Sequence, residues 1–211
     1  MAWLFYLLWP IVAPYFKLAF RFWRVPEKEK IPRGGKIYAA NHCSNAEGPI
    51  LNLFHPKPVR FLGKSELFRL PHQRIVMKGV GTIPLKRRGS DREAFDLAVK
   101  ALKKGDHIGI FPEGTRGNGS ELLPPHTGVI RLSLLADVPI IPVGFSGAKM
   151  AWPKGRYLPR FRKVWVKVGD PWYVPKPPPG REYNYDELKK LADELMYERI
   201  KPLIDFSRNE P

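Results

Sequence analysis

Short apolar runs alternate with segments of helical period along most of the chain. Lys36-Asn41, Val59-Gly63, Thr82-Leu85, His107-Phe111, Ile140-Phe145 and Lys163-Val168 have the length and apolar content of strands. Between two of them lies the clearest helix. Ser90 followed by Glu93 reads as a capping box, and Ala94, Phe95, Leu97, Ala98, Ala101 and Leu102 form an apolar stripe. Lys103-Lys104-Gly105 then supplies a basic last turn and a glycine stop. A second helix is predicted over Gly128-Asp137. A third is predicted over Tyr185-Ile200, with Leu188, Leu191, Ala192, Leu195 and Met196 on its buried side. The alternation predicts an α/β fold: a single domain with a largely central mixed sheet flanked by helices. Pro175-Lys-Pro-Pro-Pro-Gly180 reads as a stiff extended link rather than a domain boundary, and no internal repeat is visible.

The first 24 residues follow a different pattern and hold nine aromatics. Their uncharged run ends after Phe16, short of the roughly 18 apolar residues expected of a spanning helix. No positive residue precedes the run and no small-residue cleavage site follows it, so it does not read as a secretory signal. Pro10 and Pro14 predict two short helices instead of one rod. In the second, Lys17, Arg21 and Arg24 fall on one face and Tyr15, Leu18, Ala19 and Phe22 on the other. That is the layout of helices lying in a membrane interface; a helix pair packed on the core is the alternative. The expected organisation is residues 1–25 as N-terminal interfacial helices and residues 26–211 as the α/β domain.

Charge narrows the partners. The 211 residues carry 36 Lys and Arg against 20 Asp and Glu, a formal net charge of +16, which favours an anionic lipid surface, nucleic acid or phosphate-bearing substrates. The aromatics cluster at the N-terminus instead of interleaving with the cations, so a base-stacking platform, and with it a nucleic-acid partner, is not expected. A single cysteine, Cys43, rules out an intramolecular disulfide framework and a Cys-rich zinc site, and fits a reducing compartment.

Three stretches carry chemistry. In Asn41-His-Cys-Ser-Asn-Ala-Glu-Gly-Pro49, His42 and Glu47 are a base and a carboxylate five residues apart. On a continuous helix they would lie about 140° apart and could meet only if the segment is a loop. Ser44 to Glu47 also fits the S-x-x-E capping box, which would make Glu47 a cap. Pro49 would then occupy the fifth helical position. It favours a helix beginning at Pro49, with a loop before it in which Glu47 can curl back to the imidazole. A carboxylate on Nδ1 fixes the tautomer and leaves Nε2 free to take a proton from a hydroxyl. Cys43 points away from His42 on an extended chain, so a thiol nucleophile is not favoured. In Phe111-Pro-Glu-Gly-Thr-Arg116, Gly114 allows close backbone approach, Thr115 offers a hydroxyl and Arg116 a guanidinium fork suited to phosphate. Gly81-Thr-Ile-Pro-Leu-Lys-Arg-Arg88 delivers three cations just before a helix N-terminus, where a phosphate could meet Arg87 and the helix dipole; a solvated charge run is the bland alternative.

The order of these blocks, with Gly63-Lys-Ser-Glu-Leu67 and Val138-Pro-Ile-Ile-Pro-Val143, resembles the four-block signature of the lysophosphatidate (1-acylglycerol-3-phosphate) acyltransferase family, over roughly residues 30 to 147. The aromatic N-terminus resembles the two-helix membrane-docking motif of bacterial members. The resemblance implies His42 as the base for the acceptor hydroxyl and Glu47 as the carboxylate that orients it. It implies Arg87, Glu113, Gly114, Thr115 and Arg116 as the holders of the acceptor's phosphate, with Lys64 nearby. Acyl-CoA or acyl-carrier protein would be the donor and a lysophospholipid the acceptor, with no bound cofactor or metal. The expected location is the cytoplasmic face of an anionic membrane, held monotopically. Glu47 stands where the family carries aspartate, and Pro125-His-Thr-Gly128 replaces a segment in which relatives carry lysine before the glycine. A non-catalytic lipid-surface protein of the same descent is the competing class.

Overall fold

The computed structural model describes residues 3–20, 23–25, 31–53, 55, 57–85, 92–119, 121–156 and 158–208. A seven-stranded sheet organises them, in the order β1-β7-β6-β2-β5-β3-β4. The strands are β1 (Trp23–Val25), β2 (Lys36–Ala40), β3 (Val59–Lys64), β4 (Ile83–Leu85), β5 (His107–Ile110), β6 (Ile140–Ser146) and β7 (Trp165–Val168). Strands β2 to β6 pair in parallel, and β7 joins β6 antiparallel while β1 runs parallel to β7. The sheet is therefore mixed, as the alternation predicts. All five residues of β2 are buried because helices cover both faces of the sheet.

Each face has its own core. Ile37 and Ala39 of β2 pack with Ala94, Ala98 and Leu102 of α4 (Arg92–Lys103) and with Ile130 of α5 (Gly128–Ala136). The same face takes the C-terminal helices: α7 (Tyr185–Asp193), a π-helical stretch Glu194–Ile200 and α8 (Lys201–Arg208). Tyr38 and Ala40 point the other way, as period 2 demands. They join Phe16 and Phe20 of α1 (Trp3–Phe20), Ile50 and Leu51 of α2 (Glu47–Asn52), and Ala148 and Ala151 of α6 (Ala148–Ala151). Beyond a 3₁₀ turn at Ser65–Phe68, α3 (Pro71–Gly79) touches α1, and a Cβ on Gly79 would lie 2.5 Å from Leu4 Cβ.

All six expected strands are present, to within two residues at each end. The third helix continues beyond Ile200 to Arg208, because the apolar stripe runs on through Ile204. The Ser90 cap lies outside the described residues.

The N-terminus corrects the two-helix expectation. One helix, Trp3–Phe20, runs through both Pro10 and Pro14. The two prolines are exposed, and each removes a single backbone donor. The opposite side is held by stacked aromatics, Phe5 on Trp9 at 4.9 Å and Phe16 on Phe20 at 5.4 Å. The chain is already strand at Trp23, so Arg24 belongs to β1 and not to a helix face with Lys17; Arg21 lies outside the described residues. Tyr15 and Leu18 are exposed, while Phe16, Ala19 and Phe20 are buried. This helix is long and apolar enough to cross a membrane, and only 28% of it is buried in the protein.

Candidate active site

The site begins where β2 stops. Asn41 is buried, its amide nitrogen donating to the Phe145 carbonyl at 3.0 Å and its oxygen accepting the Phe145 N–H at 2.8 Å. This clamp on β6 fixes the point at which the chain leaves the sheet. Ser44 does not cap a helix with Glu47. Its hydroxyl donates to the Trp152 carbonyl at 2.7 Å and accepts the Ala46 N–H at 2.9 Å, which folds residues 41 to 46 into a tight loop. Helix α2 starts at Glu47, two residues before the Pro49 start favoured from sequence. Pro49 is then its third residue, still in the first turn, where a missing N–H is tolerated.

In this loop His42 and Glu47 meet, Nδ1 to Oε2 at 3.1 Å. The carboxylate is fully buried, and its other oxygen accepts the Cys43 N–H at 3.0 Å and the Cys43 thiol at 3.4 Å. Burial pushes the Cys43 thiol pKa up, and the Glu47 charge adds to the shift, so this sulfur is a protonated donor and not a nucleophile. The imidazole lies flat on Phe111, ring centroids 3.9 Å apart, and Phe111 in turn stacks on Phe61 at 5.5 Å. Because Nδ1 is engaged by Glu47, Nε2 is the nitrogen left for a substrate.

Glu113 braces the neighbouring loop. It is buried, and its two oxygens accept the His42 N–H at 2.7 Å and the Leu123 N–H at 3.0 Å. Burial raises its pKa and these two N–H groups oppose the rise. The Gly117 N–H closes the link by donating to the His42 carbonyl at 2.8 Å. Gly114 has φ +64°, and a Cβ there would come 2.8 Å from the His126 ring. The segment that lacks the family's lysine thus places an imidazole edge against the Glu-Gly-Thr-Arg turn. Thr115 is exposed, and the Arg116 guanidinium donates to the Asn45 side chain, on the same loop as His42.

The structure therefore brings His42, Glu113, Gly114, Thr115 and Arg116 onto two adjoining loops at the ends of β2 and β5, with Glu47 reaching His42 from the first turn of α2. Lys64 stands apart, exposed at the end of β3 in register with Leu85. Arg87 lies outside the described residues. A cleft of about 970 Å³ opens beside the pair, bounded by His42, Cys43, Glu113, Phe145, Lys149 and Trp165. Among the described residues no group of three His, Cys, Asp or Glu side chains could hold a metal. Asn41, Ser44 and Phe111 escaped the reading of the sequence as site residues. Asn41 and Phe111 each directly follow a strand, where ligands of open α/β sheets bind, and that was the available signal.

The sequence profile of the family described as Acyltransferase matches residues 23–146. The chain is 29% identical over 210 residues to a 1-acyl-sn-glycerol-3-phosphate acyltransferase of Haemophilus influenzae, covering 92% of this chain and 82% of that one. It is 31% identical over 116 residues to a lyso-ornithine lipid O-acyltransferase of Pseudomonas aeruginosa, covering 54% of this chain and 44% of the relative. Several other relatives are matched over about half of their length. The crystal structure of the 1-acyl-sn-glycerophosphate acyltransferase PlsC from Thermotoga maritima superposes with a TM-score of 0.70 at 24% identity, over 95% of this chain and 80% of that one. With a profile match over more than half its length, and with the His42 and Glu-Gly-Thr-Arg loops side by side on the sheet, the chain belongs to the Acyltransferase family.

Proposed function

We propose that this acyltransferase moves a fatty acyl group from a thioester, acyl-CoA or acyl-carrier protein, to the sn-2 hydroxyl of lysophosphatidate, giving phosphatidate. The observation that carries the reading is the buried Glu47 carboxylate on Nδ1 of a half-buried His42 whose other nitrogen is left for substrate. Nε2 removes the hydroxyl proton while the oxygen attacks the thioester carbonyl. The thiolate leaves, and Glu47 stabilises the imidazolium formed in between. Arg116, whose guanidinium donates to Asn45 of this loop, is assigned to the acceptor's phosphate. Lys64, the last residue of β3, and Arg87 are assigned to the same phosphate. Glu113 acts by holding the two loops together, and Gly114 and Thr115 by shaping the turn that presents Arg116. A lysophospholipid with another headgroup is the nearest rival acceptor, given the relative that acts on lyso-ornithine lipid.

The reaction is assigned to a membrane surface. Helix α1 exposes Trp3, Leu7, Ile11 and Leu18, and the neighbouring α3 exposes Ile75 and Val76, together an apolar surface that suits a lipid interface. The fitting location is the cytoplasmic leaflet, where the acyl thioester donors are found. The test is an acceptor panel with one labelled acyl-CoA: lysophosphatidate, lyso-ornithine lipid and glycerol 3-phosphate, each with wild type and His42→Ala. Preferred turnover of lysophosphatidate, lost in His42→Ala, is the expected result. Turnover that survives in His42→Ala overturns the mechanism, and preference for another acceptor overturns the substrate.

A further inference from the structure

Between α6 and β7, residues 153–163 hold five cations, Lys154, Arg156, Arg160, Arg162 and Lys163, and no acidic residue. All five are exposed. Among the described residues, Lys154, Arg156, Arg160 and Arg162 meet no carboxylate. Lys163 lies 3.9 Å over the Trp165 ring. The same strap exposes two large apolar side chains, Leu158 at 68% and Phe161 at 57%. Its backbone is nevertheless pinned. The Arg160 N–H donates to the Ala151 carbonyl at 2.7 Å, and the Trp152 indole N–H donates to the Arg156 carbonyl at 2.9 Å.

The strap is also tied to the C-terminal end of α1. The Arg162 N–H donates to the Ala19 carbonyl and the Val164 N–H to the Phe20 carbonyl, both at 3.1 Å. Trp152 packs on Phe16 and Phe20 from the same side. The backbone of the cationic strap thus closes the C-terminal end of α1, the helix whose other side exposes its apolar residues.

We propose that residues 153–163 are a second lipid contact, which reads anionic headgroups at the C-terminal end of α1. This rests on the membrane reading of α1 given above. The like charges of Lys154, Arg156, Arg160 and Arg162, which meet no carboxylate among the described residues, call for a polyanionic partner. Leu158 and Phe161 add nothing to the binding of a soluble anion, whereas side chains of this kind enter the boundary between headgroups and acyl chains. The strap thus sets the orientation in which the cleft meets the bilayer, because its last residue, Lys163, also lines that cleft.

The full chain is partitioned onto vesicles of pure phosphatidylcholine and of phosphatidylcholine with 30% phosphatidylglycerol, at low and high salt. Arg160→Gln with Arg162→Gln is expected to weaken binding to the anionic vesicles roughly 25-fold at low salt, about fivefold for each charge, and to leave binding to neutral vesicles unchanged. Leu158→Ser with Phe161→Ser weakens binding to both. Lys100→Gln with Lys103→Gln removes the same charge from α4, on the opposite face of the sheet, and changes neither. Lys154→Gln with Arg156→Gln is the second strap variant, should the first fail to fold. Equal losses in the strap and α4 variants overturn the proposal while wild-type binding upholds the membrane reading. No wild-type binding to either vesicle overturns both. A raised KM for acyl-CoA at unchanged vesicle binding also overturns it, by assigning the strap to the soluble donor.

Discussion

Replacing Glu47 with glutamine tests the site at its most constrained atom. Both oxygens of the buried carboxylate accept hydrogen bonds, Oε2 from the His42 imidazole and Oε1 from the Cys43 N–H and thiol. Glutamine has nearly the same shape but only one acceptor, so its NH₂ must oppose one of these donors. If it opposes the Cys43 N–H, a donor facing the buried side chain is left unpaired at about 1–3 kcal/mol. It escapes that cost by facing Nδ1, which then accepts, and the ring proton moves to Nε2. An imidazole protonated at Nε2 cannot take the acceptor's proton. The same 1–3 kcal/mol thus favours the unproductive tautomer by roughly five- to 150-fold. Loss of the charge that stabilises the imidazolium adds to this, so kcat is expected to fall by about 10²–10⁴, the usual weight of a positioned base. Initial rates at saturating lysophosphatidate and acyl-CoA give kcat, and a circular-dichroism melt checks the fold. A kcat within twofold of wild type at an unchanged Tm would refute the dyad and leave Glu47 a structural residue. Glu47→Asp keeps the charge but withdraws it by about one C–C bond, ~1.5 Å. It is expected to retain more activity than glutamine and less than wild type, unless the loop closes the gap.

Three other outcomes follow from the frame around the pair. Asn41→Ala leaves the Phe145 N–H and carbonyl without their side-chain partner, and chemical denaturation is expected to show a loss of about 2–4 kcal/mol; a loss below 1 would mean that the clamp is dispensable. Gly114→Ala forces a Cβ onto a left-handed backbone and against the His126 ring, so both Tm and the affinity for the acceptor should drop, and His126→Gly in the same chain should restore part of the affinity. His107, at the start of β5, has its pKa pushed down to about 4 by burial and by the charges of Lys36 and Lys57. The unfolded chain takes up this proton near pH 6.5 and the folded one only near 4, so the stabilisation is complete above 6.5 and is lost as the pH falls through that window. After allowance for solvent screening the loss is about 2 kcal/mol, and His107→Asn should flatten the denaturation profile between those values.

The strands and the main helices were legible in the sequence because their signals are local. Short continuous apolar runs mark β2 and β6, and period 3.6 with a glycine stop marks α4. The order and spacing of the His42, Phe-Pro-Glu-Gly-Thr-Arg and Val-Pro-Ile-Ile-Pro-Val blocks carried the resemblance to the family, which the profile match over residues 23–146 bears out. Local rules misjudged the N-terminus. Two prolines forecast a break, but aromatic contacts along the other side of α1 and its seat against α3 and the Trp152 segment hold one helix through both.

What only the tertiary structure decided is where long-range partners land. Asn41 is locked by Phe145, 104 residues away, and Ser44 by Trp152, 108 residues away; these two anchors fold the loop that lets Glu47 reach His42. The contacts of residues 162 and 164 with Ala19 and Phe20 likewise set the strap at 153–163 beside the apolar helix. No periodicity encodes such meetings, because a pattern along the chain reports which face a residue prefers, whereas the partner across that face is chosen by how the whole sheet closes.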